Sequence, residues 1–390
     1  MKVHAAVMTC LLLVTAWPRT CRGAEAAGAR PRVFWEAALG PVYSDNVYRD
    51  RSDEADAGYD VRLRGGVRYR PSAKTFTELH YDLDALTFAS ASVENRAEHA
   101  FEGLLRRRVR EALTVEMRAG LRLSRYPNVP TFDSTTVFGR AAAKSYLDPR
   151  TTLEGGGSYE KKSFPEYDLD YGGVGLQATL ARDLGRRTFG ELSASFRNED
   201  YSERGLDPSR AVQPGEDLRV DRDWLVGARV VRDLSLVLQL QGSYQYGRLS
   251  SNGASLDFGP FQSQLTDVPG DDRLLNNYYT HRRHELSAHV RKLIRRGSSV
   301  FLGARYQDRV YPGRLAKDEN DQFRSPEQLR HDHGLLLWSR LDVPFPVLPR
   351  RAAFGHFGLR LRLSHEINAS NEALYDYGNT VVAFSLTSWF

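Results

Sequence analysis

Along residues 59 to 70 apolar and polar side chains alternate without a break. Tyr59, Val61, Leu63, Gly65, Val67 and Tyr69 form one set, and Asp60, Arg62, Arg64, Gly66, Arg68 and Arg70 the other. A period of two is that of a β-strand, whose successive side chains leave opposite faces. The pattern returns over 113–124, where Leu113, Val115, Met117, Ala119, Leu121 and Leu123 oppose Thr114, Glu116, Arg118, Gly120, Arg122 and Ser124. Residues 235–247 set Leu236, Leu238, Leu240, Tyr244 and Tyr246 against Gln239, Gln241, Ser243 and Gln245, and Phe357 to Ser364 repeats the alternation. Taken along the chain, the pattern predicts about sixteen strands, starting near residues 33, 59, 75, 97, 113, 136, 151, 173, 188, 223, 235, 281, 298, 334, 354 and 380.

The connections between these segments alternate in length. Tight ones fall near Pro71 to Lys74, Arg107 to Ala112, Asp148 to Arg150, Asp183 to Arg187, Arg232 to Leu234 and Leu293 to Gly297, with a longer Pro-rich one at Asp342 to Arg351. Longer ones lie near 44–57, 89–96, 126–134, 164–171, 199–219, 249–277, 310–331 and 368–379. In an antiparallel meander this puts all the long loops at one end. That asymmetry, on an even number of strands, is the signature of a transmembrane antiparallel up-and-down β-barrel with short periplasmic turns and long extracellular loops. The expected fold is therefore all-β, one closed barrel of 16 to 18 strands occupying residues 25–390. In hydrocarbon every backbone N–H and C=O must be paired, and closure removes the two unpaired sheet edges. A soluble sandwich or propeller has no need to gather its long loops at one end. Aromatic residues near strand ends, namely Tyr43, Tyr48, Tyr59, Tyr69, Tyr126, Tyr159, Tyr171, Tyr201, Trp224, Tyr246, Tyr306 and Trp338, fit the girdles of such a barrel at the two interfaces.

Composition changes this picture little. With 41% hydrophobic and 26% charged residues, the chain of 390 residues reads like an ordinary soluble protein. A barrel strand is half polar, so this composition is compatible with membrane strands. Beyond the N-terminus no uncharged apolar run reaches the length of a membrane-spanning helix. At the N-terminus, Lys2 and His4 precede an apolar run from Ala5 to Trp17, followed by the small residues Gly23 and Ala24. This is the layout of a secretory signal peptide over residues 1–24. Both cysteines, Cys10 and Cys21, fall inside it, so the remaining chain can form neither a disulfide nor a thiolate metal site. A net charge of +5, spread along the chain, gives no basis for nucleic-acid binding.

If the apolar set faces lipid, the opposite set lines the lumen. Its cations are Arg62, Arg64, Arg68, Arg118, Arg122, Arg140, Lys144, Lys162, Arg197, Arg229, Arg291, Arg305, Arg309, Arg340, Arg360 and Arg362. Its acids are Glu78, Asp82, Asp84, Glu102, Glu116, Glu154, Glu160, Glu191, Asp223 and Glu285. Half or more of these charges are expected to pair across strands and stiffen the wall. A surplus of positives among the pore-lining residues, with Gln239 and Gln241 beside them, favours anions. No cofactor or metal is expected and no catalytic residue is assigned. The one dense cluster, His331, Asp332 and His333, falls at an expected loop-to-strand junction with no nucleophile placed by spacing. Two imidazoles only two residues apart offer too few ligands for a metal when no further ligand is identifiable.

Two resemblances add to this. The last strand carries Val382, Phe384, Leu386 and Phe390 on one face, which resembles the C-terminal signature that bacterial barrels present to the barrel-assembly machinery; it implies that Phe390 is an assembly signal. The opening segment Gly40-Pro41-Val42-Tyr43-Ser44-Asp45-Asn46-Val47-Tyr48-Arg49, with Tyr81-Asp82-Leu83 and Glu98-His99 further on, resembles β-barrel porins from the outer membranes of polysaccharide-secreting bacteria. That resemblance implies a non-enzymatic outer-membrane pore, some members of the family serving as exits for exopolysaccharide. Its expected partners are outer-membrane lipids, the assembly machinery and periplasmic or inner-membrane export components. A passive porin for small anions, and more remotely an outer-membrane hydrolase or adhesin, are the alternatives.

Overall fold

The computed structural model describes residues 30–49, 53–165, 170–205, 218–252, 280–294, 297–318, 322–324, 328–345 and 356–389. The segment 1–24, Phe390 and most of the 249–277 loop lie outside the described residues. Sixteen strands follow one another: β1 Arg32–Ser44, β2 Asp56–Ser72, β3 Thr75–Phe88, β4 Arg96–Arg110, β5 Leu113–Arg125, β6 Ser134–Asp148, β7 Thr151–Ser163 and β8 Tyr171–Gly185. The second half comprises β9 Thr188–Gly205, β10 Leu218–Asp233, β11 Leu238–Ser251, β12 His281–Leu293, β13 Ser299–Leu315, β14 Leu329–Pro344, β15 His356–Ser370 and β16 Tyr377–Trp389. Each pairs antiparallel with its sequence neighbours, and β1 closes on β16.

Closure sorts the alternating residues into two surfaces. The outer one is apolar and exposed on strand after strand, with Leu79, Phe101, Met117, Val137, Leu176, Leu192, Val226, Leu286, Leu302, Leu337, Leu361 and Phe384 all presented outward. An apolar belt around a closed barrel is the surface that hydrocarbon requires and water penalises. Tyr43, Tyr59, Tyr69, Tyr159, Trp224 and Tyr306 are exposed, as girdle residues must be. Four other expected girdle residues are not. Tyr126 and Tyr201 are buried, the Tyr171 hydroxyl donates to Glu160 inside the barrel at 2.7 Å, and Trp338 shares the lumenal face of β14 with Arg340.

At the short-turn end the hairpins are tight. Arg186 and Arg187 both take positive φ, at 48° and 60°, as the two-residue turn joining β8 to β9 requires. At the long-loop end one device recurs. Where a ladder runs out of backbone partners, an Asp or Asn side-chain oxygen accepts the next N–H in place of a backbone carbonyl. Asn95 takes the N–H of Phe88, Asp133 that of Tyr126, Asp170 that of Phe164, Asn252 that of Val220, Asn371 that of His331 and Asp45 that of Thr380. Short side chains with an acceptor one bond from Cβ suit this position, since they reach neighbouring backbone without a long tether.

The closing seam has a tight spot of its own. Its ladder skips from Leu39↔Leu386 to Val42↔Ala383, passing Gly40 and Pro41 without a bridge. Pro41 has no N–H to give, and a Cβ at Gly40 would sit 1.6 Å from the Phe384 carbonyl oxygen. Gly40→Val is therefore expected to destabilise the closed barrel by about 1–3 kcal/mol, the cost typical of overpacking. The temperature at which the compact band is lost on unheated gels measures it.

Candidate functional site: the lumenal wall

The lumenal wall is a lattice of arginine–carboxylate pairs between adjacent strands. Among the described residues eleven of the sixteen expected cations pair with a carboxylate, eight of them with one on an adjacent strand, while Arg197 reaches Glu160 two strands away, Arg340 pairs with Asp342 on its own strand and Arg362 with Asp60 across the seam. Arg62 lies 3.0 Å from Asp60 and 3.2 Å from Asp84. Arg64 reaches Glu78 and Asp82 at 3.6 and 3.4 Å, and Arg68 donates to Glu78 at 2.8 Å. Arg118 bridges Glu116 and Glu102 at 2.8 and 3.3 Å, and Arg122 meets Glu98 at 3.1 Å. Arg140 pairs with Glu154 at 3.2 Å and Arg229 with Glu191 at 2.8 Å. Arg360 holds Asp342 at 2.8 Å, and Arg362 caps Asp60 across the seam. Gln239 donates to Asp233 at 2.8 Å, and Gln241 stands opposite His289 in the β11–β12 register. Arg305 is exposed on the lumenal side of β13 beside Arg362 and Glu366, lining a hollow of about 420 Å³.

These pairs alter the charge balance expected from alternation alone. Asp60, Glu98, Glu199 and Asp342 share the lumenal face and pair with arginines of the expected set, so the surplus of positives is smaller along the wall than the sixteen-to-ten count. It is concentrated elsewhere. At the short-turn mouth a hollow of about 510 Å³ is lined by Arg70, Lys74, Arg106, Arg108 and Lys144, with Glu116 and Glu154 opposite. Those two acids are engaged by Arg106, Arg118 and Arg140. Arg70, Lys74, Arg108 and Lys144 have no carboxylate partner among the described residues; Arg70 lies over the Phe76 ring and Lys144 over that of Tyr146. Alternation marks Arg70, but Arg108 lies in a run of four arginines broken only by Val109, where neither face is apolar.

No family model and no curated protein matches the sequence. Solved structures align over nearly the whole chain. A bacterial polysaccharide outer membrane secretin aligns over 91% of this chain and 98% of its own at 11% identity and a TM-score of 0.47. OccD3 of Pseudomonas aeruginosa aligns over 97% of both chains at 10% identity and 0.47, and the anion-selective porin of Comamonas acidovorans over 93% and 100% at 11% and 0.45.

The rest of the wall is hydrogen-bonding surface. Trp338 lies across the strand from Gly303, its ring where a Cβ of residue 303 would be, and meets His289 edge-on at 6.1 Å. Phe138 similarly occupies the space beside Gly120. Ser243 and Ser287 share a hydrogen bond of 2.7 Å. Arg197 joins Glu160, Glu199 and the Tyr171 hydroxyl in one network. Sixteen strands enclose an interior too wide for side chains alone to fill, so these groups border an aqueous channel. Fixed ion pairs and hydroxyls in such a channel can attract, orient and release polar solutes.

Proposed function

We propose that the chain is an outer-membrane channel that passes a secreted acidic polysaccharide, with residues 1–24 as its export signal and the short-turn end facing the periplasm. The observation that carries this reading is the arrangement of unpaired charge. Four cations without carboxylate partners border the mouth, at Arg70, Lys74, Arg108 and Lys144, and the wall beyond them is charged mainly in pairs. An acidic chain is drawn in at the mouth, where low-dielectric walls focus the field, and farther on meets paired charges with little net field to hold it. Polyanion transit needs this combination of attraction at entry and weak retention. Energy for export comes from upstream synthesis, so inner-membrane or periplasmic export components are the expected partners.

A deletion strain is expected to lose secreted polysaccharide and to accumulate it in the periplasm, with the wild-type gene restoring secretion. A variant with all four mouth cations changed to Gln is expected to fold and insert but restore secretion only partly. In planar bilayers under a salt gradient, the wild-type pore is expected to prefer anions mildly and the variant to lose most of that preference. The same cations favour a second reading, a passive porin for small anions. Normal secretion with slowed anion uptake in the deletion strain selects it.

A further inference from the structure

The outer wall carries a group of side chains that the channel does not use. His331 and His333 lie two residues apart on β14, so both rings leave the same face of the strand, away from the lumen. The cluster is thus part of a strand and not of a loop junction, and it divides: Asp332 points the other way, buried against Arg330. The third member comes from the neighbouring strand. Asp308 of β13 stands opposite His333 in the ladder, and its Oδ1 lies 2.7 Å from Nε2 of His331 and 3.0 Å from Nδ1 of His333. The three donor atoms lie within 4.8 Å of one another.

We propose that Asp308, His331 and His333 form a binding site for a divalent transition metal on the outer face of the barrel, Zn²⁺ being the simplest occupant. Two imidazoles and a carboxylate are a donor set that Zn²⁺, Ni²⁺ and Cu²⁺ accept. Ligands about 2.0–2.2 Å from a tetrahedral ion stand about 3.3 Å apart, so the present hydrogen-bonded separations of 2.7 and 3.0 Å need to open only slightly. Both strands are fixed by the ladder, which limits the reorganisation. The Tyr306 hydroxyl lies 3.0 Å from the same Nδ1 of His333; that hydrogen bond is given up when the nitrogen takes the metal, which releases the hydroxyl to hold a metal-bound water. His284 of β12 faces Asp308 from the other side, its own ring hydrogen-bonded to Tyr244 at 2.7 Å.

Height on the barrel makes the site reachable. Below it the outward residues are apolar, Leu302 on β13 and Leu335 and Leu337 on β14; at the cluster they turn polar, on the side of the long loops. An ion arrives from water without crossing hydrocarbon. Elsewhere on the outer wall the Tyr81–His99 pair shows the same Tyr-to-His hydrogen bond, at 2.8 Å, and its donors are not among the clustered metal-ligand groups.

The test is titration of the purified, untagged barrel in detergent with ZnCl₂ by calorimetry, repeated with CoCl₂ to read the visible absorption of coordinated Co²⁺. One saturable site per barrel is expected. His331→Ala and the near-isosteric Asp308→Asn are each expected to weaken it at least about tenfold and to abolish the cobalt spectrum, while His99→Ala leaves both unchanged. Heat-modifiable mobility establishes that each variant is folded. Absence of a saturable site in the wild-type barrel, or retention of wild-type affinity by folded His331→Ala and Asp308→Asn, overturns the proposal.

Discussion

Replacing Arg330 by Met is expected to destabilise the folded barrel by about 3–5 kcal/mol, the cost of leaving the buried carboxylate of Asp332 without its counter-charge, while Glu372 keeps Arg314. Arg330 is 1% exposed, near the start of β14 at the long-loop end. It grips Asp332 through Nε and Nη2 at 3.0 and 2.6 Å, and its Nε lies 3.8 Å from Glu372, itself 1% exposed. The guanidinium plane is held between two aromatic rings, 4.4 Å from the centre of Tyr311 and 3.4 Å from that of Tyr375. Methionine keeps much of the apolar stem but supplies neither charge nor donors. The arginine joins β13, β14 and the short helical turn Ala373–Tyr375 after β15, so the damage should begin at that rim. Chemical unfolding of the variant in detergent, followed by tryptophan fluorescence, measures the loss. A lysine, which cannot fork to Asp332 or stack in the same plane, should recover only part of it.

Neighbouring residues on β5 are expected to have opposite tolerances. Leu121 faces outward beside Phe101 and Val137, so Leu121→Arg places a charge against hydrocarbon and is expected to cost about 2–4 kcal/mol, depending on depth. Arg122 faces the lumen, where it meets Glu98 at 3.1 Å and lies 5.8 Å from the centre of the Phe138 ring. Arg122→Leu leaves Glu98 unpaired, but that carboxylate is 40% exposed to channel water, so the expected effect is within about 1 kcal/mol. Unfolding midpoints of the two variants in one detergent compare them directly. Equal losses would mean that the two faces of β5 are exchanged.

All sixteen strands and the two faces were legible in the sequence, because burial on one side imposes a period of two that survives substitution. Strand starts are illegible where the period is absent. Leu329-Arg330-His331-Asp332 is polar on both faces, the inner pair an ion pair and the outer histidine turned to Asp308, so the run reads as loop although it is strand. Residues 235–237 read as strand but form the turn before β11, with Leu236 fully outside. The cations of the wall were legible by phase; three of their partners were not, since Glu98 and Asp342 meet Arg122 and Arg360 only through pairing of neighbouring strands, and Asp60 meets Arg362 only across the closing seam. Trp338 lies near a strand end, where a girdle residue is expected, but it shares its phase with Arg340 and so faces the lumen.

The ring of Asp and Asn acceptors at the long-loop end also separates two kinds of sequence change. Each of those oxygens terminates a ladder before its loop begins, as at Asn95 and Asp133, so the strands owe their last hydrogen bond to the rim and not to what hangs from it. Segments between such anchors are expected to tolerate shortening, exchange or replacement by a foreign epitope while amide protons of the strands below stay protected from solvent deuterium. A single change of an anchor to Leu should do the reverse: the loop keeps its sequence, and deuterium enters the end of the adjoining hairpin.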